Sequence, residues 1–159
     1  MESISEAEAG TRPESSMRFN VESLGKVASR VKVGDHEWVF DQPHTVPGGE
    51  NRGSSPLDVM VAAVAACAHY YAAAYLHGRG LPTVGLEVEV EAEKERTPAP
   101  RLGRFSMRVH LPAGTSDRQV AGIGRAVRSC PAYGTLIQPP TVELSIDVAG
   151  IPSKGKLSA

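Results

Sequence analysis

The chain has 159 residues and a formal net charge of −1, from 17 lysines and arginines against 18 acidic residues. That length suits one domain with its own core and is short for two, and so small a charge gives no field to draw the chain onto nucleic acid or an anionic membrane. Two cysteines, Cys67 and Cys130, without C-x-x-C or paired Cys/His spacing, form no metal signature; in a reducing compartment a purely structural disulfide is disfavoured, while a transient or catalytic pair stays open.

Residues 1–16, MESISEAEAGTRPESS, hold four glutamates, one arginine and no apolar block. They read as a disordered acidic tail without a secretory or mitochondrial signal, which makes a cytoplasmic location the expectation. One domain is expected over 17–150, with a C-terminal tail at 151–159. MRFNVESL (17–24), KVASRVKV (26–33) and HEWVF (36–40) read as three strands of a meander, joined by Leu-Gly and Gly-Asp turns. DQPHTVPGGENRGSSP (41–56), with three prolines and three glycines, is a long surface loop of the kind that carries function. Its G-x-x-x-x-G, Gly48 to Gly53, is followed by Ser-Ser and lacks the lysine of a phosphate-binding loop.

A helix starts at that point. Ser55 is its N-cap, Pro56 its first residue, and Asp58 lies where a carboxylate answers exposed amides and the helix dipole. It runs to about Leu76 and is stopped by Gly78, Gly80 and Pro82. Leu57 to Leu76 has the length of a membrane span, but eight of its twenty residues are alanine, Asp58 and His69 interrupt it, and no basic cluster flanks it; a buried core helix is the expectation. VGLEVEVEAEKE (84–95) alternates Leu86, Val88, Val90 and Ala92 with four glutamates, and RFSMRVHL (104–111) alternates Phe105, Met107, Val109 and Leu111 with Arg104, Arg108 and His110. Paired as a hairpin, the two set arginines across from glutamates. Ser116 and Gln119 form a capping box for a second helix with Val120, Ile123 and Val127 at core spacing, ending near Arg128 because Pro131 disfavours helical backbone at Cys130. A last strand alternates over 141–150. Strand blocks separated by lone helices predict an α+β fold with mainly antiparallel sheets.

On the first helix Cys67 shares a face with Met60, Val64, Tyr70 and Tyr71, while His69 points away. A buried filler cysteine and a reactive thiol both fit; His69, Tyr70 and Tyr71 read as packing residues. Cys130, followed by Pro131, caps a new helical turn whose amides would favour a thiolate there. Whether the two cysteines meet is not decided by spacing.

SSPLDVMVAAVAACAHYYAAAYLHGRGLPTVGLEVEVE resembles the central helix and following strand of the OsmC/Ohr family, the osmotically inducible and organic hydroperoxide resistance proteins, with Cys67 eleven residues after Pro56. RSCPAYGTL resembles the family's second cysteine motif, and the match runs from about Gly48 to Val148. The resemblance implies mainly antiparallel sheets wrapped around a long buried central helix in an intertwined homodimer, with sites built from both chains. It also implies a thiol peroxidase acting on organic hydroperoxides, with Cys67 peroxidatic and Cys130 resolving, no bound cofactor or metal, and an external dithiol reductant of lipoyl or other type. The hydroperoxide-resistance branch has a glutamate after the proline, paired with an arginine that polarises the thiol. Here Leu57 stands in its place. Asp58 could substitute, although capping is its preferred role, and Arg52, then Arg30, are the candidate arginines. The alternative functions are a non-catalytic module that binds a small apolar or thiol ligand at the dimer interface, and a zinc site from Cys67, Cys130 and His44 or His77.

Overall fold

A computed structural model of the protein describes residues 17–149 and 157–158; the acidic tail expected at 1–16 lies outside them, as does most of the C-terminal tail. The described chain builds two compact units, one ending at Asp58 and the other beginning at Val59.

In the first unit, β1 (Asn20–Ser23), β2 (Ser29–Val33) and β3 (His36–Phe40) form the expected antiparallel meander. Its register sets Val21, Val31 and Trp38 in one cross-strand row and Glu22, Arg30 and Val39 in the next. Successive side chains alternate faces, so one side is apolar and the other carries charge. Arg30 binds Glu22 and Glu37 there, each at 2.9 Å.

The helix α1 (Pro56–His77) begins at the end of this unit and runs through the second. Its start follows the sequence: the Ser55 hydroxyl accepts the Asp58 N–H at 3.2 Å and donates to the Asp58 carboxylate at 2.6 Å. The stop is more specific than expected. Gly78 still makes a helical bond to the Ala74 carbonyl, and it is Gly80, at φ 66°, that takes the left-handed position. The amides of Gly80 and Leu81 close on the carbonyls of His77 and Leu76, each at 3.0 Å, a Schellman ending, with Leu81 packed against the core cluster that holds Leu76.

Among the described residues α1 is the one helix long and apolar enough to cross a membrane. The expected core helix is buried along one side: Val64, Ala68, Ala72 and Leu76, spaced by four, form a single buried stripe, whereas Met60 and Tyr70 are 48% and 65% exposed. Ala68, Ala72 and Leu76 pack with Leu86, Ile123 and Val127 as the core of the second unit.

The hairpin of β4 (Glu87–Glu95) and β5 (Arg101–His110) follows the alternation, with Val88, Val90 and Ala92 opposite Val109, Met107 and Phe105. On the outer face Arg108 lies 3.5 Å from Glu89 and Arg104 3.3 Å from Glu93; such exposed pairs contribute about 0–1 kcal/mol each. β5 starts earlier than its alternation suggested, because a register shift at Glu93/Lys94 lets pairing continue to Arg101. Gly103 sits at that irregularity, where the Glu95 side chain occupies the space a Cβ would need.

α2 (Asp117–Arg128) has the expected capping box, with the Gln119 side chain accepting the Ser116 N–H at 2.7 Å. Ile123 and Val127 are buried, but Val120 is 47% exposed and lines a cavity instead. α3 (Pro131–Ile137) follows at once. The last strand differs most from expectation: β6 is only Glu143–Leu144 and pairs with β7 (Leu157–Ser158) rather than with the hairpin. Its neighbourhood therefore finds no core, and Val142, Leu144, Ile146 and Val148 are all exposed.

Candidate active site

Cys67 lies halfway along α1, one residue before buried Ala68, and is partly exposed. Cys130 reaches it because of a local stop. Proline disfavours helical backbone in the residue before it, and Cys130 is extended at φ −63°, ψ 127°, between the end of α2 and the start of α3. Packing of Ile123 and Val127 against Ala68 and Ala72 holds that junction on α1. Cys130 is 1% exposed, and its Sγ lies 2.6 Å from the Sγ of Cys67. Both thiols are free, yet the sulfurs need only approach to the bond length of about 2.05 Å to bridge.

Burial pushes the Cys67 thiol above its ordinary value of 9.0, and its hydrogen bond with the Cys130 thiol raises it further, because both disfavour the thiolate. The backbone amide of Ala132, in the first turn of α3, opposes them. The first-turn amide of α3 thus acts on Cys67. None of the arginines in this unit is among the influences on Cys67.

Arg52 and Asp58 sit in the first unit, where they line one polar cavity of about 490 Å³ with Asn51, Ser54 and Ser55. Asp58 is engaged by the N-cap hydroxyl, which is the capping role preferred from sequence. The Arg52 guanidinium donates to the Leu24 carbonyl at 3.4 Å. Arg30, the second candidate, is held by its two glutamates. Among the described residues no three His, Cys, Asp or Glu side chains gather as a metal site, so the zinc alternative through His44 or His77 has no ligand cluster behind it.

Asp41 is the residue that sequence reading missed. Only 1% exposed, its carboxylate accepts the amides of Gln42 at 2.8 Å and of Glu50 and Arg52 at 3.1 Å, folding the 41–56 loop around itself. The Arg52 amide foremost, helped by the other two, holds its carboxyl below the ordinary 3.8 despite burial. Close packing also explains two loop glycines: a Cβ at Gly49 would strike the carbonyls of Gln42 and Pro43, and one at Gly53 that of Val39.

A thiol pair carried on the central helix and on a helix–helix junction, beside an antiparallel hairpin, defines a dithiol α+β protein. Residues 48–145 match the family model of the OsmC-like proteins, and the chain belongs to the OsmC family. No curated protein matches the sequence. Among solved structures, an OsmC-like protein from Mycoplasma pneumoniae superposes at a TM-score of 0.67 with 16% identity, covering 80% of this chain and 91% of that one. A protein from Psychrobacter arcticus described by osmotic stress induction and detoxification response gives 0.66 and 15%, covering 79% and 91%. An organic hydroperoxide resistance protein OsmC from Legionella pneumophila gives 0.54 and 14%, covering 80% and 93%. At these identities the likeness is one of fold.

Proposed function

We propose that the protein reduces organic hydroperoxides with Cys67 as the peroxidatic and Cys130 as the resolving thiol, in defence against oxidative stress. The observation that carries this reading is the 2.6 Å separation of a partly exposed sulfur from a buried one. The Cys67 thiolate attacks the terminal peroxide oxygen; the O–O bond breaks, the alkoxide takes a proton and leaves as the alcohol, and Cys67 becomes a sulfenic acid. The Cys130 thiol then displaces water from that sulfenic acid to form the disulfide, and an external dithiol reduces it by exchange, ending as a disulfide itself. Access favours this order, since the peroxide can meet Cys67 while Cys130 is shielded. A cytoplasmic setting would supply the dithiol. The names of the hydroperoxide resistance relatives support the same reading.

We place the reaction in a homodimer, because Tyr70 on α1 and the apolar residues around β6 find no cover among the described residues; a monomer in light scattering would refute this assignment. A second reading, a binding module without turnover, is favoured by burial pushing the Cys67 thiol above its ordinary value and by Asp58 being engaged as a cap rather than as a thiol partner. Intact mass and free-thiol counts after one equivalent of cumene hydroperoxide, on wild type and Cys67→Ser, separate the two. Peroxidase chemistry removes both thiols and two hydrogens from the wild type alone; persistence of both thiols leaves the binding module.

A further inference from the structure

Two sulfurs in contact are a donor set as well as a redox pair. Cys67 and Cys130 are the only cysteines of the chain, both are free, and their Sγ atoms lie 2.6 Å apart. Thiolates select soft acceptors. A structural zinc takes about four ligands, and among the described residues no third His, Cys, Asp or Glu joins the pair. The acceptor that fits is therefore one that two sulfurs satisfy.

The separation of the sulfurs narrows the choice. An ion held in line between two thiolates, such as copper(I), sets them on opposite sides of itself and about 4.6 Å apart, twice a metal–sulfur bond of the length zinc makes. Cys130 has no room to swing that far. It is 1% exposed, its amide bonds the Val127 carbonyl at 3.0 Å, and its carbonyl accepts the Gly134 amide at 2.9 Å. A pyramidal centre instead takes both sulfurs on one side, so they need to part much less. Trivalent arsenic is such a centre, and its third valence can point out past Cys67, the sulfur with access to solvent. With an organic group on that valence, two thiols saturate the arsenic. Inorganic arsenite keeps a hydroxyl there that a third thiol would replace, and the chain has no third thiol.

We propose that the reduced Cys67–Cys130 pair binds monosubstituted trivalent arsenicals, RAs(OH)2, through both sulfurs. Two As–O bonds break and two As–S bonds form; each thiol proton leaves with a hydroxyl as water, and no atom changes oxidation state. Since the protons depart in this way, the burial that keeps Cys67 in its thiol form does not prevent the step. The arsenic-bound pair has no thiol left for a peroxide, and the disulfide has none for arsenic, so each state excludes the other. Binding needs no turnover and goes beyond the peroxidase reading. The test adds phenylarsine oxide to the reduced full-length protein and follows intact mass and free thiols. One phenylarsenic group should be gained and both thiols lost. A competing dithiol, 2,3-dimercaptopropanol, should remove the group where an equal concentration of 2-mercaptoethanol does not; from Cys67→Ser and Cys130→Ser the monothiol should remove it readily, because a single As–S bond exchanges. Arsenite should bind more weakly than the phenyl compound. In the urea-unfolded wild type, closing a loop over the 63 residues between the cysteines should weaken binding by roughly a thousandfold, a loss that two cysteines not brought together by the fold would not show. Two groups per chain, tight retention by either serine variant, arsenite bound as tightly as the phenyl compound, or equal affinity in the unfolded chain would overturn the proposal. Binding of this kind while hydroperoxide leaves both thiols intact upholds the arsenic site and removes the peroxidase; thiol loss to hydroperoxide without arsenic binding does the reverse.

Discussion

Replacing Gly122 by alanine should destabilise the protein even though alanine is the better helix former. Gly122 is buried on α2 against α1, and a Cβ there would overlap the Tyr75 hydroxyl and come within 2.5 Å of its Cε2. The helix itself gains about 1 kcal/mol from the change. Overpacking in a filled site costs about 1–3 kcal/mol, and moving Tyr75 disturbs the Arg79 guanidinium 3.7 Å from its ring centre, a contact worth about 0.5–1 kcal/mol at an exposed site. The net is a loss of roughly 0.5–3 kcal/mol. Gly124→Ala, two residues on, meets no atom within 4 Å and should gain about 1 kcal/mol. The two variants should therefore differ by roughly 1.5–4 kcal/mol in urea denaturation of the reduced protein followed by far-UV circular dichroism. Since the same α1–α2 packing brings Cys130 to Cys67, Gly122→Ala should also slow disulfide formation. A Gly122→Ala protein as stable as Gly124→Ala would refute the account of this packing.

The 41–56 loop should loosen in acid. The folded Asp41 carboxyl titrates below its ordinary 3.8, so its contribution is complete above that value and fades as pH falls through the lower folded one. Amide exchange at Glu50 and Arg52 should accelerate over that interval, and Asp41→Asn should show fast exchange already at neutral pH; unchanged protection in the variant would show that the carboxylate does not organise the loop. Cys130→Ala removes a hydrogen bond that raises the Cys67 thiol, so iodoacetamide should alkylate Cys67 faster at pH 8 in the variant than in the reduced wild type. A slower or equal rate would argue against that coupling. For the same reason Cys67 contributes stability below about pH 9, the unfolded thiol's range, which is lost as pH rises through the higher folded value.

Much of the fold was legible because its signals are local. The Ser55 cap, the Schellman glycine and the Ser116/Gln119 box act within a single turn of helix, and the period-two rows of β4 and β5 recur every second residue. Where neighbours far along the chain decide, the reading was incomplete. The 141–150 alternation promised a long strand, but a strand needs a neighbour to pair with along its length, and β6 pairs with β7 over only two residues. Helix α1 is apolar almost all round, yet only the stripe that meets α2 and the hairpin is buried.

The candidate site divides in the same way. Sequence alone supplied both cysteines, a cap for each carrying helix, and the proline that bends the chain at Cys130. Tertiary structure alone placed sulfurs 63 residues apart within 2.6 Å, since that distance depends on how Ile123 and Val127 seat against Ala68 and Ala72. It alone exposed the role of Asp41, for amides that converge on a carboxylate from one, nine and eleven residues away follow no repeating interval. Periodicity and capping are encoded within a few residues; the meeting of two thiols and the folding of a loop around one buried charge are properties of packing.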